Sequence, residues 1–196
     1  IRKGEEVTPE DEQKLAERLG IPCFVKPNAG GSSFGVTKVK MADALRAAIE
    51  KAMMESDEVM VERMMSGTEI TCGCYKRPNG EIVTFPITEV VTTQEFFDYD
   101  AKYNGKVSEI TPARIAPETA KRVSEMTQHI YRILGCYGII RIDYILSGEK
   151  GQEQINMLEI NTTPGMTATS FIPQQVRASG LDIKDVLSDI IEGKLQ

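Results

Sequence analysis

Nowhere in the 196 residues does an apolar run approach the roughly 20 positions that a membrane-spanning helix needs. The opening residues, IRKGEEVTPEDEQ, are polar and lack an apolar block of the signal-peptide kind. No membrane partner is therefore expected, and a cytoplasmic location is. An excess of basic residues is missing too, since 23 Lys and Arg stand against 29 Asp and Glu, for a formal charge of −6. That balance argues against a nucleic-acid partner, because neutralising many phosphates takes a basic face. Any anionic ligand must be met locally. Histidine is nearly absent: His129 stands alone in a helical stretch, so no Ser-His or Cys-His nucleophile is in view. The cysteines, Cys23, Cys72, Cys74 and Cys136, lie in or beside apolar runs. The Cys72-x-Cys74 spacing fits neither a zinc knuckle nor a CxxC pair, so all four read as buried, reduced thiols. Internal repeats and low-complexity tracts are absent as well.

With 41% hydrophobic and 27% charged residues, the chain can bury a substantial core in one or two compact units. Thr8 before Pro9, acids in the next turn and Gly20 as a stop predict a short helix over TPEDEQKLAERLG. IPCFVKP reads as a strand, MADALRAAIEKAMME as an amphipathic helix and EVMVERM as a further strand. Together these predict a small α+β unit over residues 1–65. From Ser66 strand signals take over. GTEITCGCYKR and EIVTFPITEVV, joined by a turn at Pro78-Asn79-Gly80, predict a hairpin that opens a second unit over residues 66–196. The stretch TQEFFDYDAKYNGKVSEITPARI has no clean period and mixes aromatics with charges, the pattern of a long functional loop, here read as a lid. A helix from Pro117 to about Leu134 follows, then strands YGIIRIDYIL and EQINMLEIN around the turn SGEKGQ, the loop TTPGMTATSF and two short helices.

The stretch VKPNAGGSSFGVTKV, Val25 to Val39, places Lys26 just before a glycine-serine run. Backbone N–H groups in such a loop can converge on an anion, because glycine admits the dihedrals required and lets the backbone approach closely. Phosphate is the first suspect. In the Walker A pattern, however, the lysine follows the glycines and the loop opens a helix, whereas here Lys26 precedes them and VTKV reads as a strand. This is a strand-loop-strand clasp. Lys26 alone would pass as a solvated strand end; the adjoining glycines favour phosphate contact.

Near the carboxy end, two apolar strands carry polar residues two apart: Arg141 with Asp143, and Glu159 with Asn161. A spacing of two puts each pair on one face. If the hairpin closes symmetrically about Gly151, Asp143 stands opposite Glu159 and Arg141 opposite Asn161. A slip of one residue would send one pair to the other face. Asp, Glu and Asn supply the hard oxygen ligands that suit Mg²⁺ bridging nucleotide phosphates, and arginine can hold phosphate or developing negative charge. The plainer reading is a surface ladder of ion pairs; charged residues inside apolar strands favour the metal.

The words VKPNAGGSSFGV, VERMMSGTEIT, FFDYDAKY, IIRIDYIL and LEINTTPGMTATS run in this order through nearly the whole chain. With them the sequence resembles the ATP-grasp superfamily and, more narrowly, the D-alanine–D-alanine ligase family. Family members begin with a further substrate domain, to which nothing in these residues corresponds, so the chain is similar to their central and carboxy-terminal portions. The resemblance implies an α+β fold of two subdomains gripping a nucleotide between antiparallel sheets. It also implies ATP and Mg²⁺, or Mn²⁺ in its place, with two ions, and a cytoplasmic enzyme of peptidoglycan synthesis that is a homodimer at full length. ATP would phosphorylate one D-alanine and the amine of a second would displace the phosphate.

Carried over residue by residue, the resemblance assigns Lys26 to nucleotide phosphate, with Gly30, Gly31, Ser32 and Ser33 in the loop that closes over it. Ser32 also orders the substrate side. Glu62 would accept from the adenine amino group, the backbone near Met64 and Met65 would read the ring, and Glu69 would bind ribose. Lys102 would be a second phosphate lysine, and Tyr103 the tyrosine that marks dipeptide-forming members. Arg141 and the Gly165 N–H would stabilise the tetrahedral intermediate, Asp143, Glu159 and Asn161 would hold the metals, and Ser170 with Phe171 would line the substrate pocket. On its own this chain is expected to bind ATP without joining D-alanines. Two rival readings stay open: another ATP-grasp carboxylate–amine ligase, and a nucleotide-binding module without turnover.

Overall fold

In a computed structural model, which describes residues 1–30, 34–92 and 107–195, Thr8 caps α1 (Pro9–Leu19) as the sequence predicts. Its Oγ1 accepts from the Asp11 N–H at 3.2 Å while Asp11 Oδ2 accepts from the Thr8 N–H at 3.1 Å, a reciprocal capping box. The described residues fall into two compact units, 1–65 and 66–92 with 107–195. In the first, β1 (Cys23–Pro27), β2 (Thr37–Val39) and β3 (Val59–Arg63) form an antiparallel sheet in the order β2-β1-β3. The helix predicted from Met41 begins instead with one 3₁₀ turn, Ala42–Ala44, for Met41 has no side-chain acceptor to cap it; α2 (Leu45–Ala52) follows. Leu45, Ala48, Ile49 and Ala52 recur three and four apart, so one stripe of α2 closes over Cys23, Val25, Val39 and Val59.

The second unit is built on β4 (Thr68–Lys76), flanked by β5 (Ile82–Thr84), β6 (Thr88–Thr92), β7 (Val107–Ile110), β8 (Ile140–Ser147) and β9 (Gln154–Asn161). The antiparallel order is β7-β6-β4-β8-β9, with β5 pairing the end of β4. Along β8 the even-numbered residues are buried and the odd ones half-buried. Ile140, Ile142, Tyr144 and Leu146 pack with Ile70, Cys72 and Cys74 of β4 and with Val123, Ile130 and Tyr131 of α3 (Pro117–Ile133). On the other face, Ile172 and Val176 of α4 (Phe171–Ala178) and Val186 of α5 (Ile183–Leu195) cover Tyr75 and Phe85. The α+β class with antiparallel sheets is thus as expected.

One expected strand is two. EIVTFPITEVV divides into β5 and β6 because Pro86 offers no N–H to a ladder, and the chain leaves β4 beside Gly73 before rejoining it. Among the described residues no helix is long and apolar enough to cross a membrane.

Candidate functional site

In the first unit, alternation along β1 turns Cys23 and Val25 into the core and Phe24 and Lys26 to the opposite face. Register brings Glu62 and Lys38 opposite Phe24, and Met60 opposite Lys26, onto that same face. Lys26 Nζ reaches Glu62 Oε2 at 2.8 Å. Two residues expected at opposite ends of a nucleotide are therefore each other's ion-pair partners. Met64 and Met65 follow the end of β3, both half-buried. Gly31, Ser32 and Ser33 of the loop lie outside the described residues, as do Lys102, Tyr103 and most of the expected lid.

In the second unit, Arg141 pairs with Asn161 and Asp143 with Glu159, so all four share one face. The route to that register differs from the one expected. The hairpin is not symmetric about Gly151: Ser147 pairs with Gln154 and Tyr144 with Met157, one step out of the expected phase. A bulge between the Tyr144 and Asp143 pairs, with Leu158 as the extra residue, restores it. Without the bulge, Leu158 would face Asp143, and Glu159 would turn to the α3 side.

Asp143 is closely held. Arg141 grips it as a fork, Nε to Oδ1 and Nη2 to Oδ2, both at 2.8 Å. Thr71 Oγ1 donates to Oδ1 at 2.6 Å and Asn161 Nδ2 to Oδ2 at 3.3 Å. The side chains of the pair are only 16% and 15% exposed, so the fork offsets the cost of burying both charges. Burial works against the Arg141 cation, but the Asp143 hydrogen bond and the charges of Asp143, Glu159 and Glu109 outweigh it and hold the pKa above its ordinary value. The guanidinium also lies 5.1 Å from the centre of the Phe171 ring. Asn161 Nδ2 contacts Glu159 Oε1 at 3.4 Å, so the three expected metal ligands converge on one patch.

Glu69, Thr71 and Gly73 of β4 lie on this face as well, opposite Ile145, Asp143 and Arg141. Sequence reasoning assigned Glu69 and passed over Thr71, although the two-residue spacing that singled out Arg141 and Asp143 was there to be read. Ser170 is the N-cap residue of α4, but its side chain makes no capping hydrogen bond. Its Oγ instead accepts from the Thr167 N–H at 3.2 Å and is hydrogen-bonded to Thr167 Oγ1 at 2.8 Å. Gly165 folds against it, since a Cβ there would stand 2.9 Å from Ser170 Oγ. Also missed were Gln174, which donates to Glu109 Oε2 at 2.5 Å, and Gln175, which is buried against β4.

Among the described residues no three His, Cys, Asp or Glu side chains gather around a potential metal position. Two carboxylates and one amide do gather, an all-oxygen donor set suited to a hard divalent cation that takes its remaining ligands from phosphate and water. Asn161 fits after half a rotation of its amide, which would turn Oδ1 to the same side.

A family model described as D-ala D-ala ligase C-terminus matches residues 1–192. The D-alanine–D-alanine ligase of Phocaeicola vulgatus is 66% identical over 195 residues, covering 99% of this chain and 58% of the relative. The chain thus spans little more than half the length of that relative. Among solved structures, the VanG D-Ala:D-Ser ligase of Enterococcus faecalis shares 35% identity at a TM-score of 0.78, over 93% of this chain and 52% of its own. The D-alanine–D-alanine ligase of Bacillus anthracis complexed with ATP shares 26% identity at a TM-score of 0.73, over 100% of this chain and 57% of its own. The two units, each built on an antiparallel sheet, have the ATP-grasp fold of these ligases, and with the match running almost end to end, this chain belongs to the D-alanine–D-alanine ligase carboxy-terminal family.

Proposed function

We propose that the full-length protein joins two D-alanines at the expense of ATP, releasing ADP and phosphate. The observation that carries this reading is the convergence of Arg141, Asp143, Glu159 and Asn161 on one sheet face. A carboxylate oxygen of the first D-alanine attacks the γ-phosphorus of ATP, giving an acyl phosphate and ADP. The amine of the second then attacks the acyl carbon, and phosphate leaves with the bonding electrons as the amide forms and the amine loses a proton.

Lys26 serves phosphate, Glu62 the adenine amino group, the backbone near Met64 and Met65 the ring, and Glu69 the ribose. Arg141 spends two of its five N–H groups on Asp143. The other three can meet an oxyanion, together with the Gly165 N–H. Asp143, Glu159 and Asn161 would hold Mg²⁺, which offsets phosphoryl charge when bound. Ser170 and the unshared N–H groups at the start of α4 receive the acceptor's carboxylate. Gly31, Ser32, Ser33, Lys102 and Tyr103 complete the proposal as loop, phosphate and substrate contacts.

The test is coupled ADP release by the full-length protein with D-alanine, D-serine and D-lactate as acceptors, and product identification by mass spectrometry. Dipeptide from D-alanine is expected. ADP release that depends on a different carboxylate–amine pair, or nucleotide binding without turnover, would replace the reading. The isolated chain is expected to bind ATP but to yield no dipeptide.

A further inference from the structure

Gln175 is a fully buried glutamine on α4 whose amide is committed entirely to the sheet. Its Oε1 accepts from the Gly73 N–H, and its Nε2 donates to the Thr71 carbonyl and to Thr88 Oγ1, each at 3.0 Å. The Gly73 N–H lies where β4 lacks a neighbouring strand, just beyond the last β4–β6 pair, Thr71 with Thr88. β6 pairs with β4 over Glu69–Thr71 and β5 from Cys74 onward, with the Pro86 break between them. The glutamine amide thus stands in for the missing peptide. Gly73 makes room for it, since a Cβ there would come within 2.7 Å of Gln175 Oε1 and 2.5 Å of Ile172 Cδ1.

The connections continue outward from both ends. Thr71 Oγ1 holds Asp143, and Thr88 Oγ1 is hydrogen-bonded to Thr111 Oγ1 at 2.6 Å. At the head of the same helix stand Ser170 and Phe171, the latter under the Arg141 guanidinium. Apolar contacts through Ile172 and Val176 attract α4 to the sheet but do not fix its register along it, because they are non-directional. Three hydrogen bonds from one rigid amide do. β4 pairs with β8 along Thr68–Cys74, so α4 is the partner free to shift if they are lost.

Resting on the ligase reading above, we propose that Gln175 is a positioning residue for the acceptor amino acid: its amide locks α4 to β4 so that Ser170 and Phe171 present the acceptor's carboxylate to the site in register with Arg141. The full-length protein, wild type, Gln175→Met and Thr88→Val, tests this by steady-state kinetics with ATP and D-alanine varied in turn, the D-alanine curve being fitted with separate donor and acceptor KM values. Gln175→Met is expected to raise the acceptor KM about tenfold, and Thr88→Val by less, while KM for ATP stays within about twofold. A merely structural role would loosen both substrates together. Equal rises in the two KM values, or an unchanged acceptor KM in both variants, overturn the proposal. Should Gln175→Met not fold, Thr88→Val decides on the same criteria, because it removes one hydrogen-bonding group and keeps the volume. A wild-type protein that makes no dipeptide brings down the ligase reading itself, and this inference with it.

Discussion

Asp143 and Lys26 show how differently two charged residues of one chain are held. Among the described residues, Thr71, Arg141 and Asn161 hold Asp143, whereas Lys26 pairs with Glu62 and stands just before the glycine loop. Lys26→Ala removes a charge-assisted contact of roughly 1.5–3 kcal/mol, so ATP binding is expected to weaken about tenfold to a hundredfold. AMP should be much less affected. Calorimetry with both nucleotides checks this, and equal losses would contradict the assignment of Lys26 to the terminal phosphates. The thiols make a second residue-scale test. Burial pushes Cys72 up to about 12 and raises Cys74 further, while Cys136 is only partly buried. At pH 8 a thiol reagent should modify Cys136 first and reach Cys72 and Cys74 only on unfolding. Early modification of Cys72 would show that the sheet core opens locally.

Among the elements, α4 packs closely on β4. This contact depends on one absent side chain, because Ile172, Gln175 and Phe85 all crowd the position a Cβ at Gly73 would take. Gly73→Ala is expected to destabilise the protein by about 1–3 kcal/mol through overpacking, measured as a lower urea midpoint at constant m. An unchanged midpoint would mean that α4 shifts at no cost, and would also remove the ground for assigning Gln175 a positioning role. The β8–β9 hairpin teaches a related lesson. Its register at the site is the expected one, but a bulge at Leu158 rather than a symmetric turn achieves it.

At the scale of the whole molecule, acid should act, among the described residues, through three carboxylates held below their usual range. A side-chain hydrogen bond lowers each: Thr8 for Asp11, Arg114 for Glu89 and Thr119 for Glu153. Folded pKa values below the unfolded ones mean that this stability is present above the unfolded values of about 4 and is lost as pH falls through the folded ones. Glu89 carries the most instructive case, because Arg114 Nε and Nη2 reach it at 2.9 and 2.7 Å. Glu89→Gln is expected to flatten the loss of stability below about pH 5 relative to wild type. Parallel acid limbs for the two proteins in thermal melts would refute this.

Much of this protein was legible in its sequence. Thr8, Pro9 and Gly20 bound α1, the two-residue spacing of Arg141 and Asp143 put both on one face, and the order of motifs identified the family. Such features are local: a cap acts over three residues and strand alternation over two, so the chain displays them before it folds. What touches Asp143, why Lys26 meets Glu62 and what fills the gap beside Gly73 belong to the tertiary structure. Thr71 and Asp143 are 72 residues apart, and Gly73 and Gln175 are 102. Their meeting follows from strand order, a proline break and a bulge acting together. A one-residue change in any register would give the same polar residues different partners, and the tertiary fold decides among those registers by burying one face of each strand.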